Sequence, residues 1–222
     1  MKQSRTLKKF VFARREPDLP SELTPTVDAA ALFQPHDISI TDHLLEEGRV
    51  ENLKTGTLRV ESSVFNKVVL ANNSFDSIRC KDVRFASCDF ANLETRGLTL
   101  IRVEFINCRM TGFRAGKADC QDVLIREGDQ RYSQFRFGQF KSAEFDSCNF
   151  AEADFHGTDL SGSIFRQCNL RSAEMSKVKL LNADLRGSIV EGLQLNAEDI
   201  RGAVVDPSQA MIFATLLGIR VE

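Results

Sequence analysis

From Val60 to Val205 every fifth residue is apolar with two exceptions: of these 30 positions 28 carry Phe, Leu, Ile, Val, Met, Cys or Ala, and only Thr95 and Gln130 are polar. A second series two residues earlier, from Leu58 to Ala203, is small or apolar throughout except at Asn73 and Glu198. A mostly polar residue stands between the two, so the unit reads small, polar, large apolar, variable, variable. "ADFHG", "TDLSG", "CNLRS" and "ADLRG" are clean copies. A helix would space its apolar residues by three and four, and an ordinary strand alternates for only a few residues before it turns. The pattern fits neither. Two inward residues flanking an outward one make a very short extended segment, and the remaining two can turn a corner. Repeating that step coils the chain.

The cysteines give the number of corners per coil. Cys88, Cys108, Cys148 and Cys168 are 20, 40 and 20 residues apart, with Gly128 in the vacant slot, and each lies in a recurring phrase ("FASCDF", "FINCRM", "FDSCNF", "FRQCNL"). Twenty residues are four pentads, hence four sides. Eleven of the 17 Phe fall on numbers divisible by five between Phe65 and Phe165. One predicted column is Phe65, Phe85, Phe105, Ile125, Phe145 and Phe165. From Ile38 to Val205 the count gives about eight 20-residue coils, a rod roughly 40 Å long at a strand spacing of ~4.8 Å. The predicted class is all-β, a quadrilateral parallel β-helix with a short C-terminal α-helix. The expected division is 1–37 as N-terminal extension and cap, 38–205 as β-helix, and 206–222 as capping or dimerisation helix and tail.

With these residues in view, the chain resembles the pentapeptide repeat family, whose consensus is A-[DN]-L-x-x, securely over 58–205 and weakly over 38–57. The resemblance implies a right-handed four-sided β-helix.

Stacked coils leave open backbone groups at both ends, and both need covers. Asp206-Pro207-Ser208-Gln209 supplies an N-cap acid, a proline at the first helical position and Gln three residues after the cap, while Gly218 is a suitable stop. The helix between, about 207–217, offers Met211, Ile212, Phe213, Leu216 and Leu217. Two readings stand: a cap alone, or a cap whose surplus apolar surface makes a symmetric dimer. Arg201 to Ile219 also resembles the terminal segment of the gyrase-directed, Qnr- and MfpA-type members, which implies a homodimer contact there. Pro17, Pro20, Pro25 and Pro35 break up the start, where Val27–Phe33 suits a short helical cap and residues 1–18 are expected to be loosely ordered.

The 222 residues carry 29 Lys and Arg against 31 Asp and Glu, a net charge of −2. That provides no bulk field for nucleic acid or an anionic membrane. No apolar run approaches the ~18 residues of a spanning helix, and the basic start lacks the apolar stretch of a signal peptide, so a cytoplasmic protein is expected. All six Cys (80, 88, 108, 120, 148, 168) fall on inward series and read as buried thiols, with no C-x-x-C pair. His36, His43 and His156 lie apart from them, and Gly112–Lys117, "GFRAGK", is one residue short of a phosphate loop and lacks its Ser/Thr. No catalytic, cofactor-binding or metal-ligating set emerges. A rod packed with Phe and Leu offers a long surface rather than a pocket, which points to a non-enzymatic scaffold binding a protein partner.

Outward residues twenty apart mostly alternate in sign, as in Asp89, Arg109 and Asp129 or Arg126, Asp146 and Arg166, which avoids repulsion between strands. Yet 54–141 carries 15 basic and 10 acidic residues, net +5, and 142–206 carries 6 and 11, net −5. Glu144, Asp146, Glu152, Asp154 and Asp159 in the acidic half are the candidate partner-binding residues. With the family resemblance they imply an alternative function, a DNA mimic that binds DNA gyrase and modulates quinolone sensitivity. Against it, ~40 Å of B-DNA presents roughly 23 charges. The unbroken cysteine spacing also leaves no room for Qnr-type loops between 88 and 168. One coil, 112–133, is irregular: Phe113/Ala115, Ala118/Cys120 and Gly128/Gln130 exchange large and small residues. There Gln130 either bonds the backbone or marks a recognition feature rimmed by Asp129, Arg131 and Tyr132.

Overall fold

In the computed structural model, which describes residues 13–26, 28–34, 36–216 and 218–220, the pentads wind a parallel four-sided β-solenoid of about seven turns. Pairing advances by twenty residues at every step. Phe65 lies on Phe85, Phe85 on Phe105, Phe105 on Ile125, Ile125 on Phe145 and Phe145 on Phe165. Ring centroids in this column sit 5.0 Å apart for Phe85–Phe105 and 4.6 Å for Phe145–Phe165. Both inward series are buried along the rod, so the core is one continuous stack. Numbering the sides by their large residues, side one carries Phe65 and Phe85, side two Leu70 and Phe90, side three Phe75 and Phe135, and side four Cys80 and Phe140.

Corners form two residues after each large apolar residue. There the backbone takes the left-handed conformation at non-glycine residues such as Asn72 (φ 59°), Asp82 (φ 56°), Ser87 (φ 52°) and Tyr132 (φ 61°). That conformation costs an L-residue free energy. Cross-coil hydrogen bonds offset it: Asn72 N donates to Ala91 O and Asn92 N to Thr111 O, both at 2.9 Å. Thr57, Ser77 and Gly97 are not left-handed, and the strands Lys54–Asn66, Ser74–Ala86 and Glu94–Ile106 therefore run 13 residues each. From Lys117 onward that corner is left-handed too, at Lys117, Phe137, Gly157 and Lys177. Beyond Arg126 the strands shrink to three residues or to single bridges.

The first end is closed by the strand Thr24–Thr26, paired to His43–Leu45 with Pro25 on its edge, and by helix α1, Ala29–Leu32. Asp28 caps α1 by accepting Ala30 N at 3.0 Å, and Ala29 packs so closely on Gly48 that a Cβ there would meet it at 2.4 Å. Val27, expected in this cap, lies outside the described residues. At the other end helix α2, Pro207–Leu216, carries a reciprocal capping box: Asp206 Oδ1 accepts Gln209 N and Gln209 Oε1 accepts Asp206 N, each at 3.0 Å. Gln209 Nε2 then donates to Leu185 O and Ser188 O at 2.7 Å, satisfying carbonyls the last coils leave open. Gly218, at φ 76°, ends the helix as expected.

Residues 13–18 depart from the sequence expectation of loose order. They form a strap on side one, laid across the middle coils, with Arg14 on Glu104, Arg15 on Asp122 and Asp18 N on Asp82. Residues 1–12 lie outside the described residues.

Candidate partner-binding surface

The solenoid distributes the five candidate acids over three sides and a corner. Glu144 and Asp146 project from side one, Asp154 from side three and Asp159 from side four, while Glu152 occupies the corner between sides two and three. Four are neutralised by cations of the same or the next coil. Asp146 accepts Arg126 Nε at 3.3 Å, Glu144 meets Arg166 at 3.2 Å, Asp154 meets Arg136 at 2.5 Å and Asp159 lies 3.5 Å from Lys179 Nζ. Burial opposes ionisation of Asp159, but the Ser161 hydroxyl and N–H and the Lys179 charge outweigh it and hold its carboxyl below the usual range. Among the described residues Glu152 alone of the five has no ion pair.

Side three breaks the alternation of charge. The outward column there is Gln134, Asp154, Glu174 and Gln194, stacked coil on coil. Acid lies directly on acid, an arrangement that destabilises parallel neighbours unless something else offsets it. Arg136 relieves Asp154, and the Ser176 N–H relieves Glu174 at 2.8 Å. With Tyr132, Glu152 and Ser172 along one corner, this column lines an open groove of about 370 Å³. Many other twenty-residue steps pair opposite charges, as in Arg109–Asp89 and Arg102–Asp82 on other faces and Arg114–Glu94 earlier in this same column.

The irregular coil supplies the groove's aromatic end. Asp129 and Arg131 close on each other through two bonds of 2.9 and 2.8 Å, and the guanidinium holds the Asp129 carboxyl below its usual range, so this pair is internally satisfied. Tyr132 is exposed at the groove, and Phe137, at the next corner, is 59% exposed. The Phe137 ring stands edge-on to His156 at 5.3 Å, and Gly157 makes room for it, since a Cβ there would meet the ring at 2.7 Å. Sequence reasoning passed over Phe137. Its signal was a large apolar residue in a variable slot, adjoining the predicted irregularity.

Gln130 differs from the expectation that its amide bonds the backbone. It is fully buried, and neither Nε2 nor Oε1 has a partner among the described residues. Its side chain folds into the space left by Gly128, where a Cβ would lie 1.9 Å from Nε2. Gly128 stands in the cysteine column because the amide takes the volume of the missing thiol.

At the C-terminal end, Phe213 is 5% exposed and belongs to the core, and Ile212 is half-buried against it. Phe213 thus serves the cap, and Ile212 packs against it with part of its surface still open. Met211 is exposed, whereas Leu217 and the side chain of Leu216 lie outside the described residues. The six cysteines are free and buried, with Cys148 Sγ donating to Ile125 O at 3.2 Å. Among the described residues no group of three or more His, Cys, Asp or Glu is placed to hold a metal, and no helix is long and apolar enough to cross a membrane.

A family model described as "Pentapeptide repeat region" matches residues 78–155, and a second, "Pentapeptide repeats (8 copies)", matches 153–192. Similar solved structures include a trypsin-treated QnrB1, a plasmid-mediated fluoroquinolone resistance protein: 18% identity, 84% of this chain and 99% of that one, TM-score 0.45. HetL of Nostoc sp. strain PCC 7120, involved in heterocyst differentiation regulation, is 16% identical over 82% of this chain and 90% of its own, with TM-score 0.25. A pentapeptide repeat protein of the Arabidopsis thaliana thylakoid lumen is 24% identical over 40% of this chain and 65% of its own, with TM-score 0.32. No curated protein matches the sequence.

Proposed function

Because the chain belongs to the pentapeptide repeat family, whose members are generally structural or binding scaffolds, we propose that it is a non-enzymatic scaffold and binds a protein partner through the groove on side three. The observation that carries this reading is the acid-on-acid stack of Asp154 and Glu174 beside Glu152 and exposed Tyr132. Of these three acids Asp154 is held by Arg136, while Glu152 and Glu174 have no ion pair among the described residues, which leaves two carboxylates beside Tyr132 without a cation. An aromatic ring at the end of such a strip suits a cationic side chain, through cation–π and ionic contact together. The fitting partner presents Lys or Arg along an extended edge.

The alternative, a gyrase-binding DNA mimic, would need acids in phosphate-like rows, whereas four of the five candidates are ion-paired and lie on different sides. The scaffold reading extends to a homodimer through the C-terminal end. It is supported by five of the seven exposed large apolar side chains among the described residues, Leu181, Ile189, Val204, Met211 and Ile219, which belong to the last coils and the cap.

The test is capture from bacterial lysate on the full chain beside a Glu152→Gln/Asp154→Asn/Glu174→Gln variant, read by mass spectrometry with gyrase subunits scored by name. A partner retained by the wild type and lost at least ten-fold by the variant is expected. Equal recovery would remove side three from the function. Inhibition of gyrase supercoiling that disappears with Asp154→Asn/Asp159→Asn would establish the mimic instead. For the dimer, light scattering of Met211→Asp should give one chain's mass, and an unchanged dimer mass would exclude this surface.

A further inference from the structure

The acids on side one are arranged quite differently. Asp82, Glu104 and Asp122 point outward, yet their side chains are only 4% to 7% exposed, because the strap lies over them. Arg14 is itself 9% exposed and reaches Glu104 Oε1 at 2.9 Å, while Arg84 holds Oε2 of the same carboxylate at 2.9 Å. Arg15 meets Asp122 twice, Nε to Oδ2 at 3.1 Å and backbone N to Oδ1 at 3.2 Å. Asp18 N donates to Asp82 Oδ1 at 2.9 Å, and Arg102 grips both Asp82 oxygens at 2.6 Å. Leu124, in the outward slot of side one between Glu104 and Glu144, is buried at 3% and belongs to the same flank.

The spacing explains the fit. Asp82 and Asp122 are the same corner two coils apart, ~9.6 Å at strand spacing. The two strap N–H groups they bind, on Asp18 and Arg15, are three residues apart, about 9.3 Å in a polyproline II chain. That conformation also returns every third N–H to the same side. Pro17 and Pro20 bias Glu16 and Leu19 toward extended backbone, which lowers the entropy lost on docking. The strap's two backbone hydrogen bonds to the rod both end on carboxylates of side chains, not on a strand ladder. Such a contact recognises a segment by its arginines and its three-residue period.

We propose that this flank of the rod, along Asp82, Glu104 and Asp122, is a docking groove for an extended, proline-punctuated protein segment with two adjacent arginines, and that residues 14–18 are its resident occupant. A partner carrying such a segment displaces the strap. The groove is on the side opposite the acidic groove of side three, so this inference stands or falls separately from the proposed function.

The probe is a labelled peptide of residues 13–19, ARREPDL, titrated by fluorescence anisotropy against the full chain and an Arg14→Ala/Arg15→Ala variant. Saturable binding to the variant is expected, at least ten-fold tighter than to the wild type, whose groove is filled. The backbone amides at positions 15 and 18 should exchange slowly in the wild type and fast in the variant. Adding Asp122→Asn or Glu104→Gln to the variant should abolish peptide binding. Asp122→Asn leaves the Arg84–Glu104 pair in place, so folding is retained even if Glu104→Gln disturbs it. Absent binding, equal binding by a scrambled peptide, or binding indifferent to both acids would overturn the groove. A wild-type dimer that becomes monomeric in the Arg14→Ala/Arg15→Ala variant would overturn occupation by the chain's own strap.

Discussion

The coils up to Arg126 and those beyond Gly128 are built from the same pentad, yet they use their outer surfaces differently. In the first group three strands run 13 residues through their corners, the sequence carries the excess of base, and the strap seals the carboxylates of side one. In the second, strands are three residues or single bridges, acid is in excess, and aromatic and apolar side chains stand in solvent at Phe137, Leu181 and Ile189. The difference teaches that core and surface are specified separately in a solenoid. The inward series continues through both groups almost unchanged, while each outward column is free to be satisfied within the chain or left for another.

The largest test breaks the register in the open half. Deleting Ser147 moves Phe150, Phe155, Leu160, Phe165 and Leu170, all fully buried, off the inward series. At about 1.5–3 kcal/mol for each side chain, the sum rivals the ~5–15 kcal/mol that holds a typical domain together. Amide protection should vanish from residue 148 onward while the strands Lys54–Ile106 keep theirs. Unchanged protection would mean that the pentad register does not hold the second half.

A medium effect is expected at the seam between the halves. Gln130→Met keeps the side chain's length and removes two unpartnered polar atoms, each of which costs about 1–3 kcal/mol when buried without a partner. The melting temperature should rise. A fall would show that the amide is paired in solution and that the seam is a polar joint rather than a strained one.

The smallest effect belongs to the far end. The Ser208 hydroxyl, then the Gln209 and Gly187 N–H groups, hold the Asp206 carboxyl down at about 2, against an ordinary 3.8. A depressed carboxyl contributes its stability above its unfolded value and loses it as pH falls through the folded one. The α2 cap should therefore be fully held above about pH 4 and loosen between 4 and 2. Amide exchange in Ala210–Thr215 would follow it, and Asp206→Asn should remove that dependence. Loosening at higher pH would assign the cap to another group.

The rod was legible in sequence because burial imposes a period, and a period survives in a single chain: the cysteine spacing, the Phe column and the capping box all appear where they were expected. The strap was not legible. It has no period, and its partners Asp82, Glu104 and Asp122 are each twenty residues or so from the next, looking one at a time like ordinary solvated acids. Leu124, apolar in an outward slot, gave no distinct signal either, since Ile164 and Val204 stand in the same column without a cover. The groove on side three was half legible, since Tyr132, Glu152 and Asp154 were singled out for separate reasons. Their meeting depends on which corner each residue occupies, and Glu174 enters only through the stacking of the column.

The strap also bears on how the molecule can change length over evolutionary time. Tandem duplication or loss of a whole 20-residue coil leaves a solenoid's inward series intact, so such genes are free to drift in length. Between Asp82 and Asp122 that freedom is withdrawn. A coil added there would carry one carboxylate past the reach of a three-residue stretch of strap, as a misplaced rung would throw off a ladder's rail. Lineages of this chain should lengthen beyond Gly128 and keep the strapped segment constant.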